Sequence, residues 1–113
     1  MLYDVFSNIV DNSIKYSSGP VNINISLSIV DMDDKKFYKV SIEDDGPGVK
    51  PDLKKRIFNR MYYEGGIMRG KGLGLYLVQT LVKYFHGTIS VEDLIPGDHG
   101  KGARFVVLLP AIE

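Results

Sequence analysis

The most specific chemistry in this sequence lies in residues 64–78, which read EGGIMRGKGLGLYLV. Gly65, Gly70 and Lys71 follow the Walker A phosphate-binding pattern, G-x-x-x-x-G-K-[ST]. Gly72, however, stands where that loop has a metal-binding hydroxyl. The residues before Gly65 read RMYYE, whereas a Walker A loop follows a buried strand. The alternative is a helix start that binds phosphates through unpaired N–H groups, with the metal ligand elsewhere. Because alternate glycines would each cost that helix about 1 kcal/mol, we favour phosphate binding over a purely structural role.

A second candidate is a polar face on a predicted first helix. Asn8, Asn12 and Lys15 are spaced i, i+4 and i+7, so they share one face, with Tyr16 beside them. Asparagine offers a neutral carbonyl oxygen that suits Mg²⁺, and the lysine ammonium suits phosphate oxygens. A plain solvated helix face is the alternative interpretation of the same spacing.

A third candidate lies at the end of a predicted strand, where residues 43–49 read EDDGPGV. A carboxylate at a strand end accepts a hydrogen bond from an exocyclic amine, and glycines let a flat ring approach the backbone. Asp-Gly and Pro-Gly are also common turn signals, so an ordinary turn is the alternative.

Hydrophobic spacing predicts the elements that position these residues. Helical spacing predicts a helix of about four turns over 2–17, and strict alternation predicts a strand over 21–29 that is covered on one side. The further predicted elements are a strand over 37–44, a short helix over 52–58, a mobile loop over 59–72, an apolar helix over 72–86, a strand near 88–92 and a strand over 103–110. The order α-β-β-α-α-β-β predicts an α+β two-layer sandwich, with a mixed, mostly antiparallel sheet covered on one face by helices.

Composition and charge exclude several classes of protein. The 113 residues suffice for one domain, 1–113, and the 14 basic and 14 acidic residues cancel. A neutral chain is a poor general binder of nucleic acid or anionic membranes. The absence of cysteine excludes disulfides, a thiolate nucleophile and a Cys-based zinc site. No apolar stretch approaches the ~20 residues needed to span a bilayer.

Taken together, the motifs resemble those of the catalytic ATP-binding domain of sensor histidine kinases, within the wider ATPase fold of gyrase, mismatch-repair and chaperone ATPases. NIVDNSIKYS is similar to the family's N box, DDGPG to its G1 box, IFNRMYY to its F box and GKGLGL to its G2 box. HGTISVE and GKGARFVVLLP are similar to its C-terminal strands, so the resemblance runs from about Leu2 to Pro110.

The resemblance implies a site for ATP and Mg²⁺. Asn12 would bind Mg²⁺, Lys15 would contact phosphate, and Asp44 would accept a hydrogen bond from the adenine amine. The implied ATP-binding residues are Asn12, Lys15, Tyr16, Asp44, Gly46, Gly48, Phe58, Gly70, Gly72, Leu73, Gly74 and Leu75. Residues 59–71 would form a lid, and the near-Walker spelling would be a coincidence of this glycine-rich lid.

Three positions depart from the family pattern. Met61 replaces a second aromatic residue of the F box, and Ala103 replaces a hydroxyl that helps to hold adenine through water. Relatives that hydrolyse ATP carry a glutamate base four residues before the metal asparagine, where this chain has Asn8. An amide has no useful basicity near neutral pH. The implied catalytic set of Asn8, Asn12 and Lys15 therefore favours a kinase, whose nucleophile is an acceptor imidazole, over a hydrolase.

The resemblance also implies partners. Neither His86 nor His99 lies in an acceptor motif, so we expect the phosphoryl acceptor on a histidine-bearing dimerisation domain of the parent protein. A response regulator would be an indirect partner, and we expect no nucleic acid and no direct membrane contact. We expect a cytoplasmic location, either alone or as part of a membrane-bound sensor. The alternatives are a non-catalytic nucleotide-sensing module and a serine kinase or ATPase of the same fold.

The family's strand before the first helix is not seen in the sequence. We therefore expect an exposed sheet edge that is able to pair with another copy.

Overall fold

The computed structural model describes residues 2–15, 19–59 and 74–111. These residues form two α-helices, two 3-10 turns and four strands. The helices are α1 (Leu2–Lys15) and α2 (Gly74–Tyr84), and the 3-10 turns are Pro51–Leu53 and Arg56–Phe58. The strands are β1 (Ile23–Met32), β2 (Lys35–Asp44), β3 (Thr88–Ile95) and β4 (Asp98–Pro110).

The four strands form one sheet in the order β1-β2-β4-β3, and every pairing among them is antiparallel. β4 therefore lies between β2 and β3, beside the strand that ends in the candidate carboxylate. The β1–β2 hairpin turns at Asp33 and Asp34, whose φ values of 52° and 63° suit a tight two-residue turn. The predicted α+β two-layer sandwich is confirmed.

The helices cover one face of the sheet. α1 buries Val5 and Ile9, α2 buries Val78 and Val82, and the two helices pack against each other. Each such side chain stabilises the fold by about 1.5–3 kcal/mol relative to its exposed state. The buried sheet residues of the same core are Val40, Ile42, Val91, Ala103, Phe105 and Val107. Neither helix in the described part of the chain has the length and apolarity to cross a membrane.

Two predicted segments differ from the structure. The helix predicted over 52–58 is instead the pair of 3-10 turns. Lys54, which lies between them, forms a salt bridge with Asp93 of β3, with 2.7 Å between its ammonium nitrogen and a carboxylate oxygen. The strand predicted over 103–110 is longer in the structure, because β4 already begins at Asp98 after a tight turn at Gly97, whose φ is 82°. Glycine adopts this φ without strain.

The cover predicted for β1 is wrong. Its apolar residues share the helix side of the sheet with β2, because Ile25 is directly opposite Ile42 and Leu27 opposite Val40. Ile25 and Leu27 are nevertheless 60% and 67% exposed, whereas Ile42 is fully buried. The helices cover β2, β4 and β3 and stop short of the edge strand.

The opposite face of the sheet carries an ionic row across three strands. The Arg104 guanidinium donates to Glu43 on β2 at 2.7 Å and to Glu92 on β3 at 3.0 Å. These hydrogen bonds raise the pKa of Arg104 above its ordinary value, and the bond to Glu43 contributes more than the bond to Glu92. The arginine therefore stays charged and links the two strands that flank β4.

Candidate functional site

The two adjacent aspartates at the end of β2, Asp44 and Asp45, have different surroundings. Asp44 lies on the helix side of the sheet and is 6% exposed, whereas Asp45, just after the strand, is exposed to solvent. A buried carboxylate is costly unless it is hydrogen-bonded. Of these two aspartates, Asp44 is the one with the enclosed surroundings of a ligand-binding group.

Two donors hold the Asp44 carboxylate. The Ser13 hydroxyl of α1 donates to Oδ2 at 2.8 Å, and the Gly46 backbone N–H donates to Oδ1 at 3.0 Å. A Cβ atom on residue 46 would lie 3.1 Å from Oδ1, so a glycine lets the carboxylate sit this close to the turn. The pair with Ser13 also ties the end of β2 to α1.

Asp45 has a different role. It accepts hydrogen bonds from the Asn22 backbone N–H at 2.7 Å and from the Asn22 side-chain amide at 2.8 Å. These bonds lower the pKa of Asp45 from its ordinary value of 3.8, and the bond from the Asn22 backbone contributes more than the bond from its side chain. Asp45 thus ties the loop after β2 to the segment before β1 and faces away from the candidate site.

The loop after β2 packs closely against the β3–β4 hairpin. Gly48 has a φ of 73°, and a Cβ atom there would overlap the backbone oxygen of His99. Gly102, with a φ of 118°, lies against the backbone oxygen of Asp44 in the same way. These two contacts between backbones require glycine and fix the loop beside the carboxylate.

The predicted polar face belongs to α1, the helix that contacts this carboxylate through Ser13. Asn8 and Asn12 are both partly exposed, beside the buried residues of the same helix. The Asn8 amide nitrogen donates to the Asp4 backbone oxygen at 2.6 Å, one turn earlier. The Asn12 side chain has no hydrogen bond to another described residue, so its amide oxygen is available to a ligand.

The described residues contain no cluster of three or more His, Asp or Glu side chains that could hold a metal ion. A Mg²⁺ ion that is shared with a bound ligand needs only one or a few protein oxygens. Asn12 fits that requirement, because Mg²⁺ is commonly bound through few protein ligands plus substrate phosphates.

The structure places some of the other predicted site residues. Phe58 is buried in the core with its ring 6.2 Å from that of Phe105, and Leu75 is buried in the same core. Gly74 is the first residue of α2, and Lys15 is the last residue of α1. The predicted site residues outside the described part of the chain are Tyr16, Gly70, Gly72 and Leu73, together with residues 60–71 of the predicted lid.

The sequence interpretation missed Ser13 and Gly102. Ser13 is four residues after Ile9, so helical spacing places it on the apolar stripe of α1, where a hydroxyl needs a partner. That polar residue on an apolar stripe was the available signal. Gly102 had no comparable signal, because its requirement arises only when the hairpin meets the loop after β2.

Comparison with known families decides the assignment. The Histidine kinase-, DNA gyrase B-, and HSP90-like ATPase family matches residues 1–113 of this chain. The chain belongs to this ATPase family. The resemblance inferred from the four boxes is therefore confirmed.

Named relatives of this ATPase-family chain are histidine kinases. The signal transduction histidine-protein kinase/phosphatase MprB of Mycolicibacterium paratuberculosis is 32% identical over 105 residues, which cover 91% of this chain and 20% of MprB. The sensor histidine kinase CpxA of Escherichia coli is 32% identical over 114 residues, which cover 96% of this chain and 22% of CpxA. The chain thus spans about a fifth of the length of these curated relatives.

Solved structures show the same architecture as this ATPase-family chain. A mycobacterial sensor histidine kinase MprB superposes with a TM-score of 0.80 at 27% identity, covering 95% of this chain and 68% of that one. Full-length ShkA in complex with AMPPNP superposes with a TM-score of 0.75 at 28% identity, covering 99% of this chain and 22% of ShkA.

Proposed function

We propose that this domain binds Mg-ATP and transfers the γ-phosphoryl group to a histidine on a separate dimerisation domain in two-component signalling. The observation that carries the proposal is the enclosed Asp44 carboxylate, held at the end of β2 against the helix that bears Asn12. Its setting supports this function because the family is an ATPase family and the named relatives are histidine kinases. A response regulator is then the indirect partner, and the cytoplasmic location stays a prediction.

Each described residue has one task in this proposal. Asp44 accepts a hydrogen bond from the exocyclic amine of adenine, and Gly46 and Gly48 keep the adjoining backbone close to the base. Asn12 offers its amide oxygen to Mg²⁺, which when bound neutralises charge on the phosphates. Lys15 contributes a positive charge near the phosphates. The domain thereby positions ATP, and positioning accounts for most of the catalysis of phosphoryl transfer.

Asn8 distinguishes a kinase from a hydrolase. A general base for water would be expected one helical turn before Asn12, and an amide cannot take a proton there. The Asn8 amide nitrogen is also engaged with the Asp4 backbone oxygen. The domain therefore holds ATP without activating water, which favours an acceptor imidazole supplied by another domain.

Calorimetric titration of ATP, with and without Mg²⁺, tests the site. Asn12→Ala should remove the magnesium-dependent part of the affinity. Asp44→Asn should raise the dissociation constant roughly tenfold to a hundredfold, the effect of losing one hydrogen bond of ~1–3 kcal/mol. Asp45→Asn is the matched control, since this neighbouring carboxylate faces Asn22, and it should change the ATP affinity less than about twofold. Equal losses in Asp44→Asn and Asp45→Asn would refute the assignment.

A phosphorylation assay tests the reaction. Radiolabelled γ-phosphate should pass from ATP to the acceptor histidine when the domain is mixed with the dimerisation domain of its parent protein. The domain alone should release phosphate far more slowly than ~1 per second, a typical enzymatic rate. Fast phosphate release by the domain alone would indicate a hydrolase, and ATP binding without transfer would indicate a nucleotide-sensing module.

A further inference from the structure

We propose that Ser13 is a positioning residue for base recognition. Its hydroxyl fixes the Asp44 carboxylate in the orientation that selects a purine whose exocyclic amine is at position 6, as in adenine. This inference rests on the proposed function, and it adds a residue of α1 to the determinants of nucleotide specificity.

The geometry favours Asp44 as the acceptor of the Ser13 proton. The hydroxyl oxygen lies 2.8 Å from Oδ2 of Asp44 and 3.3 Å from the backbone oxygen of Ile9. A serine hydroxyl has one proton to donate, and an ionised carboxylate only accepts. The shorter, charge-assisted bond is the stronger of the two, so the proton points to Asp44.

The hydrogen bonds leave Asp44 as a selective acceptor. An ionised carboxylate has about four lone-pair sites, and Ser13 and Gly46 occupy one on each oxygen. Ala103, which is directly opposite Asp44 on β4, has no side-chain donor. The remaining lone pairs attract an amine and repel a carbonyl oxygen, so the fixed carboxylate distinguishes adenine from guanine.

Because Ser13 and Asp44 are both buried, the orientation of the Asp44 carboxylate depends on the hydrogen bond from Ser13. Ser13 is 5% exposed and Asp44 is 6% exposed, so water has little access to replace the hydroxyl. Without it, one carboxylate oxygen would be underbonded in an enclosed place, and the group would turn toward another partner. α1 does not itself need serine here, since alanine has the higher helix propensity. The hydroxyl therefore acts through Asp44.

Two nucleotides and three variants of the full 113-residue chain test this role. The nucleotides are Mg-ATP and the magnesium complex of purine riboside triphosphate, which lacks the 6-amine. The variants are Ser13→Ala, Ser13→Thr, which restores a hydroxyl, and Ser41→Ala. Ser41 is the matched control, because it is also a buried serine but lies on the opposite face of the sheet from Asp44. Calorimetry gives the preference for ATP, and thermal unfolding checks that each variant folds.

Ser13→Ala should weaken ATP binding about tenfold, the effect of losing a charge-assisted hydrogen bond, and should weaken analogue binding less than about twofold. Ser13→Thr and Ser41→Ala should keep the wild-type preference. If the threonine methyl group prevents folding, the comparison of Ser13→Ala with Ser41→Ala decides whether the Ser13 hydroxyl sets the preference for ATP. Hydrogen exchange without nucleotide gives a second measure: the Gly46 amide should exchange several-fold faster in Ser13→Ala, because the carboxylate that accepts its hydrogen bond is released.

The outcomes separate this inference from the proposed function. An unchanged preference in Ser13→Ala, or equal losses for ATP and the analogue, would overturn the role of Ser13 while leaving ATP binding intact. A wild-type chain that binds both nucleotides equally would overturn both the role of Ser13 and that of Asp44 in base recognition. A wild-type chain that binds no ATP would overturn the proposed function and this inference with it.

Discussion

At the scale of single residues, Gly48 and Gly97 both adopt a left-handed φ, but their surroundings differ. A Cβ atom at position 48 would overlap the His99 backbone oxygen, whereas one at position 97 would meet nothing within 4 Å. Gly97→Ala should cost only backbone strain, about 1 kcal/mol. Gly48→Ala should cost about 3 kcal/mol or more, because strain and overlap add. Chemical denaturation of both variants measures the two free energies of unfolding.

Similar losses in the two glycine variants would contradict the close contact between the loop after β2 and the β3–β4 hairpin. A large loss confined to Gly48→Ala would show that this glycine is required for folding, whatever its role toward a nucleotide. The two roles are separable, because unfolding is measured without ligand.

Residue types in a motif could be predicted from the sequence, but their partners could not. The carboxylate and glycines of residues 43–49 were recognised because their types suit a ring and an amine. The bond between Ser13 and Asp44 joins residues 31 positions apart, and only the packing of α1 on the sheet brings them together. The different surroundings of Asp44 and Asp45 depend on the point at which β2 ends.

At the scale of elements, the end of α2 shows a conformational cost. His86 has a φ of 63°, with its N–H bonded to the Lys83 oxygen at 2.9 Å and the Gly87 N–H bonded to the Val82 oxygen at 2.9 Å. This is the Schellman arrangement, in which glycine is the usual residue at the left-handed position. Glycine is not required there, but it would relieve strain.

His86→Gly should raise the free energy of unfolding by about 0.5–1 kcal/mol, the relief of strain less the greater chain entropy of glycine. His99→Gly is the matched control, because His99 lies in β4 and has no positive φ. There the same substitution should lower stability by about 0.5–1 kcal/mol. Thermal unfolding of both variants measures the difference, and a loss of stability in His86→Gly would contradict the left-handed assignment.

Elements with a strong period were the predictable ones. α1 and α2 follow helical spacing, β1 alternates, and each of these elements was expected near its observed position. The segment over 52–58, which follows Pro51, was predicted as one helix, yet the chain forms two 3-10 turns there. Seven residues are too few for propensity to decide between these forms. The early start of β4 depends on its pairing with β3, which is a tertiary property.

At the scale of the whole molecule, the sheet is wider than the helical layer that covers it. The residues on the helix side of β1 continue the apolar face of β2, but Ile25, Leu27 and Ile29 are 60%, 67% and 62% exposed. The alternation of β1 correctly predicted a strand with an apolar side. It could not predict cover, because the same pattern arises whether or not another element packs on that side.

Ile25 and Ile42 provide a direct test of this uneven cover, since they are the same residue type and directly opposite each other in the β1–β2 register. Ile42→Ala should lower the free energy of unfolding by about 2–5 kcal/mol, because it leaves a cavity in the core. Ile25→Ala should cost less than about 1 kcal/mol, since its side chain is already mostly in water. Denaturant unfolding at two protein concentrations measures both values. Equal losses that do not vary with concentration would show that β1 is covered within the chain, and a loss in Ile25→Ala that grows with concentration would show cover by a second copy.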